Sequence, residues 1–183
     1  MPRVTMQVQA LHPKEPWWPS DDALGNYLVE LVAEAIDRGG AAPAMIGVWR
    51  EEIQILPIAP VLEQGWAPQV FLGSLSRTPH ASFGTVPEAV GIVGRLRYRR
   101  TKQEPWVSMA LVFLEWPDGR WWRWRQLLDA DGKRTAESAI WDRAVDGLPR
   151  PDNLGGWWRL GRLGAPPLRV DAMPPQDPSE IVQ

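Results

Sequence analysis

Apolar residues recur along the chain at two different spacings, and each spacing predicts a different secondary structure. Over residues 3–11 they fall at every second position, which is typical of a strand with one buried face. After Ser20 the spacing becomes helical. Ser20 followed by two aspartates is typical of a helix start, and Gly39 with Gly40 is typical of a helix end. We therefore predict one long amphipathic helix over residues 21–38.

Shorter elements are predicted on both sides of the middle of the chain. The Thr85-x-x-Glu88 pattern fits a capping box and predicts a short helix that ends at Gly94. Thr135 is predicted to cap another short helix that runs through residue 145. Four further strands are predicted from short apolar runs, over residues 44–49, 53–58, 70–75 and 95–101.

A β-hairpin is predicted around residues 116–120, where the sequence Trp-Pro-Asp-Gly-Arg has the chemistry of a tight turn. The turn joins a strand over residues 107–115 to a strand over residues 121–128. If Trp116 lies opposite Arg120, the even-numbered residues pair across the strands as Leu114 with Trp122, Val112 with Trp124 and Ala110 with Gln126. This face is almost continuously apolar, so we predict that it belongs to the core.

The odd-numbered face of the hairpin is apolar on one strand and largely cationic on the other. One interpretation is that the arginine stems or the helix after Thr135 cover this face. The other is a docking surface for a protein, because Trp and Arg are enriched at binding hot spots. On that second interpretation, replacing Trp121 and Arg123 spares the fold and abolishes binding. The candidate partner-binding residues are Phe113, Trp116, Trp121, Arg123 and Arg125.

A basic run on the preceding strand is the second candidate surface. Residues 95–125 hold eight basic and three acidic side chains, although the whole chain has a formal net charge of −2. A cationic strand face with nearby aromatics suits a single-stranded nucleic acid. The alternative is an edge strand whose charges prevent aggregation. The candidate nucleic-acid-binding residues are Arg95, Arg97, Arg99, Arg100 and Lys102.

Composition argues for binding rather than catalysis. The chain has 12 tryptophans, no cysteine and two histidines, so the commonest nucleophiles and acid–base groups are scarce. We therefore expect no enzymatic activity, no cofactor and no metal site; a serine hydrolase is a distant third interpretation. No stretch has the apolar length of a membrane-spanning helix, and the first residues lack the apolar segment of a signal peptide. We expect a cytoplasmic protein that does not insert into membranes.

Taken together, the patterns predict a single α+β domain over residues 1–164. Its mostly antiparallel, twisted sheet is expected to carry the long helix and the two shorter ones. Residues 165–183 are rich in proline and are expected to form a strap or a disordered tail that does not pair into a sheet. The expected function is a non-catalytic interaction module, an accessory or assembly subunit that docks on a protein partner in a larger complex. The alternative is an RNA- or single-stranded-DNA-binding subunit.

Overall fold

The computed structural model describes residues 9–14, 18–59, 87–99, 103–136, 139–143 and 181–182. Within these residues the chain forms one antiparallel sheet and one helix, so the predicted α+β class is correct. The elements are β1 (Gln9–Leu11), α1 (Asp21–Asp37), β2 (Ala44–Val48), β3 (Ile53–Pro57), β4 (Ala89–Arg99), β5 (Val107–Glu115), β6 (Trp121–Leu127), β7 (Ile140–Arg143) and β8 (Ile181–Val182). The strand order is β1-β3-β2-β4-β5-β6-β7, and β8 pairs with β4.

Helix α1 begins and ends as the sequence predicts. The backbone N–H of Ala23 donates to the side chain of Ser20 at 3.1 Å, which satisfies one of the free donors of the first turn. Gly39 follows the helix with φ of +78°, a conformation that glycine adopts without strain. The residues of α1 that are buried lie at helical spacing: Leu24, Gly25, Leu28, Val32 and Ile36.

The buried face of α1 packs on the middle of the sheet. Its apolar residues form one cluster with alternate residues of β2, β4, β5 and β6. The even-numbered hairpin residues belong to this cluster, which confirms that their face lies in the core. They are Ala110, Val112, Leu114, Trp122 and Trp124.

The predicted helix between Thr85 and Gly94 is wrong, because residues 89–94 are part of strand β4. The run Ala-Val-Gly-Ile-Val-Gly is rich in β-branched residues, which favour a strand. Gly94 marks a close backbone approach rather than a helix end. It has φ of +118°, and a Cβ there would lie 2.6 Å from the carbonyl oxygen of Ala42. A local capping signal was therefore outweighed by pairing with β2 and β5.

The predicted helix that starts at Thr135 is also wrong, because Ile140–Arg143 forms strand β7. Strand β7 pairs with the open edge of β6 and places Asp142 opposite Arg123 and Trp141 opposite Trp124. These cross-strand contacts are not available to an isolated helix. They give the segment an ion pair and an aromatic contact.

The two ends of the chain are described only in part. The predicted first strand is present as Gln9–Leu11, and its earlier residues lie outside the described part. Ile181–Val182 pairs with Tyr98 and Arg99, so the expectation that no residue of 165–183 enters the sheet is wrong at these two residues. The rest of that segment, and the strand predicted over residues 70–75, lie outside the described residues.

Candidate functional site

The predicted hairpin is present with the predicted register. Leu114 lies opposite Trp122, and Glu115 lies opposite Trp121. The turn is closed by the backbone N–H of Trp116, which donates to the carbonyl oxygen of Arg120 at 2.9 Å, and by the N–H of Gly119, which donates to the carbonyl oxygen of Trp116 at 3.0 Å. The hairpin therefore sets the position of every candidate partner-binding residue.

Three of those candidates are buried. Phe113 is 0% exposed, Trp121 is 4% exposed and Trp116 is 8% exposed. The rings of Phe113 and Trp121 are stacked with their centroids 6.4 Å apart. The middle of the odd-numbered face is therefore a second apolar layer of the molecule, as the first of the two sequence interpretations expects.

Arg123 and Arg125 are half-buried, and Arg123 is held by contacts within the chain. Nε of Arg123 donates to Oδ2 of Asp142 at 2.9 Å, and Nη2 donates to the same oxygen. The guanidinium also lies 5.8 Å from the centroid of the Trp121 ring. Arg123 is thus a member of an internal stack. Nε of Arg125 is buried and has no hydrogen-bond partner within the described part of the chain.

The alternative, cationic surface is partly described. Arg95 and Arg97 are exposed, and Leu96 between them is buried, as the predicted alternation requires. The guanidinium of Arg97 lies 5.4 Å from the centroid of Trp106. Arg99 ends β4 and its side chain is not described, and Arg100 and Lys102 lie outside the described residues. The structure therefore brings Arg97 against Trp106 and places Arg95 on the same exposed face of β4.

A cleft of about 490 Å³ opens where the hairpin turn meets the first turn of α1. Within the described part of the chain, four tryptophans from three separate segments line it. Trp18 precedes the helix and is half-buried, Trp116 belongs to the turn, and Trp121 and Trp122 begin β6. We call this feature the tryptophan cleft; its other charged or polar lining residues are Ser20, Asp21, Asp22, Glu88, Arg120 and Arg143.

Ion pairs cross the tryptophan cleft and fix the hairpin turn to the helix. Arg120 pairs with Asp21, and its guanidinium lies 5.3 Å from the centroid of Trp116. Nη1 of Arg143 lies 2.7 Å from Oδ2 of Asp22. The other oxygen of Asp22 accepts a hydrogen bond from Nε1 of Trp122 at 2.9 Å. The two arginines of the cleft are therefore neutralised by the two aspartates of the helix start.

The turn itself is stabilised by Asp118. The backbone N–H of Arg120 donates to its carboxylate at 3.0 Å and lowers the pKa of Asp118, to which the Arg120 guanidinium also contributes. A lowered carboxylate pKa means that this contribution to stability is present at neutral pH. It is lost as the pH falls through the folded-state pKa. The ionised carboxylate of Asp118 therefore stabilises the turn at neutral pH.

A second pocket of about 250 Å³ adjoins the tryptophan cleft and shares Asp22, Trp122 and Arg143 with it. Its outer wall is Trp141 on β7, which is 54% exposed. The centroid of the Trp141 ring lies 6.5 Å from that of Trp124, and the two rings are tilted by 58°. The two pockets share three lining residues, and we call them together the tryptophan groove.

The sequence patterns indicated Trp116 and Trp121 as partner-binding residues but did not indicate the other residues of the groove. They predict Glu88 at a helix start and Trp141 in a helix interior, and they place Trp18 in no element. A signal was available for Trp18, because an indole two residues before the helix cap Ser20 would expose a large apolar area in an unpacked loop. No local signal joins it to the hairpin, because their contact exists only in the folded chain.

Comparison of the chain with protein-family models, with curated proteins and with solved structures finds no match. Among the described residues, no group of three or more potential metal ligands converges. The helix that the structure describes is not long and apolar enough to cross a bilayer. The geometry of the groove therefore carries the functional argument.

Proposed function

We propose that this chain is a non-catalytic interaction module, an accessory or assembly subunit that docks on a protein partner through the tryptophan groove. The groove lies at the turn end of the Trp/Arg-rich hairpin. The hairpin therefore remains the docking element. The contact lies at its junction with α1 rather than on its odd-numbered face, which is buried.

The convergence of tryptophans on one surface groove is the observation that carries the proposal. Tryptophan is enriched at binding hot spots because it buries a large area and loses little conformational entropy. Trp18 and Trp141 keep exposed ring surface at the two ends of the groove, although burying it is favourable. A surface with two separated aromatic sites suits an extended protein segment better than one small molecule.

The charged groups of the groove support binding rather than catalysis. Asp21 is engaged by Arg120 and Asp22 is engaged by Arg143 and Trp122. A general acid or base needs a side chain that is free to exchange a proton with the substrate. Carboxylates in ion pairs with arginine instead provide a fixed pattern of charge, which gives specificity to docking.

Capture of partners from the native host by the tagged full chain tests the proposal. Trp18→Ala is expected to cost the complex about 2 kcal/mol, which is a roughly thirtyfold loss of affinity. Trp106→Ala is the matched control, because Trp106 is also half-buried but lies beyond the far end of β4. A partner that Trp18→Ala captures as well as the parent chain would contradict the proposal. A thermal melt of each variant checks that it is folded.

A second candidate function is single-stranded nucleic-acid binding, which the contact of Arg97 with Trp106 favours. Aromatic rings stack on bases and nearby arginines pair with phosphates. On this candidate, Trp106→Ala weakens binding to a poly-dT oligonucleotide by about 1–3 kcal/mol. Arg97→Ala lowers the slope of log affinity against log salt by about 0.7. Binding that is absent at low salt, or independent of salt, would exclude it, and Trp18→Ala serves as its control.

A further inference from the structure

We infer that the segment bound in the tryptophan cleft presents a basic side chain, lysine or arginine, to Glu88 and Trp18. The inference rests on the proposed function, since it names the chemistry of the partner at the same site. Three features of the cleft support it: the charge left after its ion pairs are counted, the aromatic surface beside that charge, and the state of the helix start.

Among the described residues of the cleft, one charged side chain has no ion-pair partner. Among the described residues, the charged side chains of its lining are three carboxylates and two guanidiniums. Arg120 is engaged by Asp21 and also by Asp118, which lies outside the lining, and Arg143 is engaged by Asp22. Glu88 is exposed, and its carboxylate makes no ion pair or hydrogen bond with the described residues. A partner with a cationic group therefore completes the charge pattern of the cleft, whereas an acidic partner adds a second unpaired negative charge.

The tryptophans provide the second part of a cation site. A guanidinium or ammonium group is attracted to the face of an indole ring. This chain already uses that contact three times within the described residues, with Arg97 on Trp106, Arg120 on Trp116 and Arg123 on Trp121. Trp18 lies in the same cleft as Glu88, its ring centroid lies 5.0 Å from that of Tyr27, and none of the described arginines makes such a contact with it. A ring and a carboxylate are thus both available to one incoming side chain.

The start of α1 does not favour an anion in place of the cation. The positive end of a helix attracts anions when its first N–H groups are free. Here Ser20 accepts from the N–H of Ala23, and Asp21 and Asp22 already supply negative charge in the first turn. Because both carboxylates are paired with arginines, the helix start is close to neutral and adds no attraction for an anion.

Titration of the full, ¹⁵N-labelled chain with blocked tripeptides tests the inference. The probes are acetyl-Gly-Xaa-Gly-amide peptides in which Xaa is Arg, Lys, citrulline, Leu or Glu. Citrulline has the shape of arginine without its charge. The readout is the indole N–H signal of Trp18, assigned by Trp18→Phe. We expect the Arg and Lys peptides to bind about five- to tenfold more tightly than the citrulline and Glu peptides.

Charge variants sharpen the test. Glu88→Gln is expected to reduce the affinity for the Arg peptide about threefold and to leave that for the Leu peptide unchanged. Glu104→Gln is the matched control, because Glu104 is also exposed but lies beyond the opposite end of the sheet.

Each negative result has a separate meaning. Equal binding of the Arg and citrulline peptides overturns the basic side chain but leaves the cleft as a binding site. No response of Trp18 to any peptide also overturns the inference. A different result would contradict the proposed function, namely capture of the native partner by Trp18→Ala with the same efficiency as by the parent chain.

Discussion

Trp122→Ala is expected to destabilise the protein by about 3–5 kcal/mol, the usual result of emptying a buried aromatic site. Trp122 is 3% exposed and lies between the sheet and helix α1. Its indole also donates to Asp22, so the substitution leaves that carboxylate with one partner fewer. Urea unfolding measures the change. Trp141→Ala is the control, because a side chain that is 54% exposed is expected to cost about 1 kcal/mol or less.

Gly25 tests the same contact from the helix side. A Cβ at Gly25 would lie 2.6 Å from Cε2 and Cζ2 of Trp122, which is far inside van der Waals contact. Gly25→Ala is therefore expected to cost about 1–3 kcal/mol, although alanine is favoured over glycine by about 1 kcal/mol in most helices. In the Trp122→Ala background the same change is expected to stabilise. Additive effects of the two substitutions would show that the indole does not limit the helix position.

Local patterns predicted the elements that depend on local chemistry. Ser20 and Gly39 define α1 through hydrogen bonds and backbone freedom that extend over one helical turn. The hairpin was predicted with its register, because the turn at Gly119 determines which residue faces which along both strands. In both cases the residues that decide the structure are neighbours in the sequence.

The two short helices were predicted wrongly because a cap depends on neighbouring residues, whereas the strands that form instead depend on pairing with distant parts of the chain. The pattern at Thr85 and Glu88 suits a helix start, but the following β-branched residues complete the ladder between β2 and β5. Thr135 suits a cap as well, but Asp142 gains Arg123 only when Ile140–Arg143 is a strand beside β6. Tertiary pairing outweighs propensity when both are compatible with the sequence.

The candidate site was beyond sequence reasoning for the same reason. Arg120 reaches Asp21 across a separation of 99 residues, and Trp122 reaches Asp22 across 100. Neither contact leaves a periodic or spaced signal. Alternation on the hairpin identified two faces correctly, but it left open whether the odd-numbered face is buried, as the structure shows at its centre. Amphipathic patterns report which residues share a face, and only the packed chain reports what lies over it.

Breaking the Arg123–Asp142 pair is the second large effect that we expect. Their side chains are 18% and 9% exposed, so removing one partner leaves the other as a largely desolvated charge. Asp142→Ala and Arg123→Met are each expected to cost about 3 kcal/mol. This reverses the expectation for an exposed docking face, on which replacing Arg123 spares the fold. The exposed pair of Arg38 with Glu34 is the control, and Glu34→Ala is expected to cost about 0.5 kcal/mol or less.

The double variant Arg123→Met with Asp142→Leu separates the ion pair from the packing around it. Because it removes both charges and keeps apolar volume beside Trp121, it is expected to recover most of the stability that either single variant loses. Urea unfolding of the four proteins gives the coupling energy. Single variants that unfold like the parent chain would show that solvent screens this pair. Partner capture by the stable double variant then shows whether the pair also contributes to docking, since Asp142 lines the smaller pocket of the tryptophan groove.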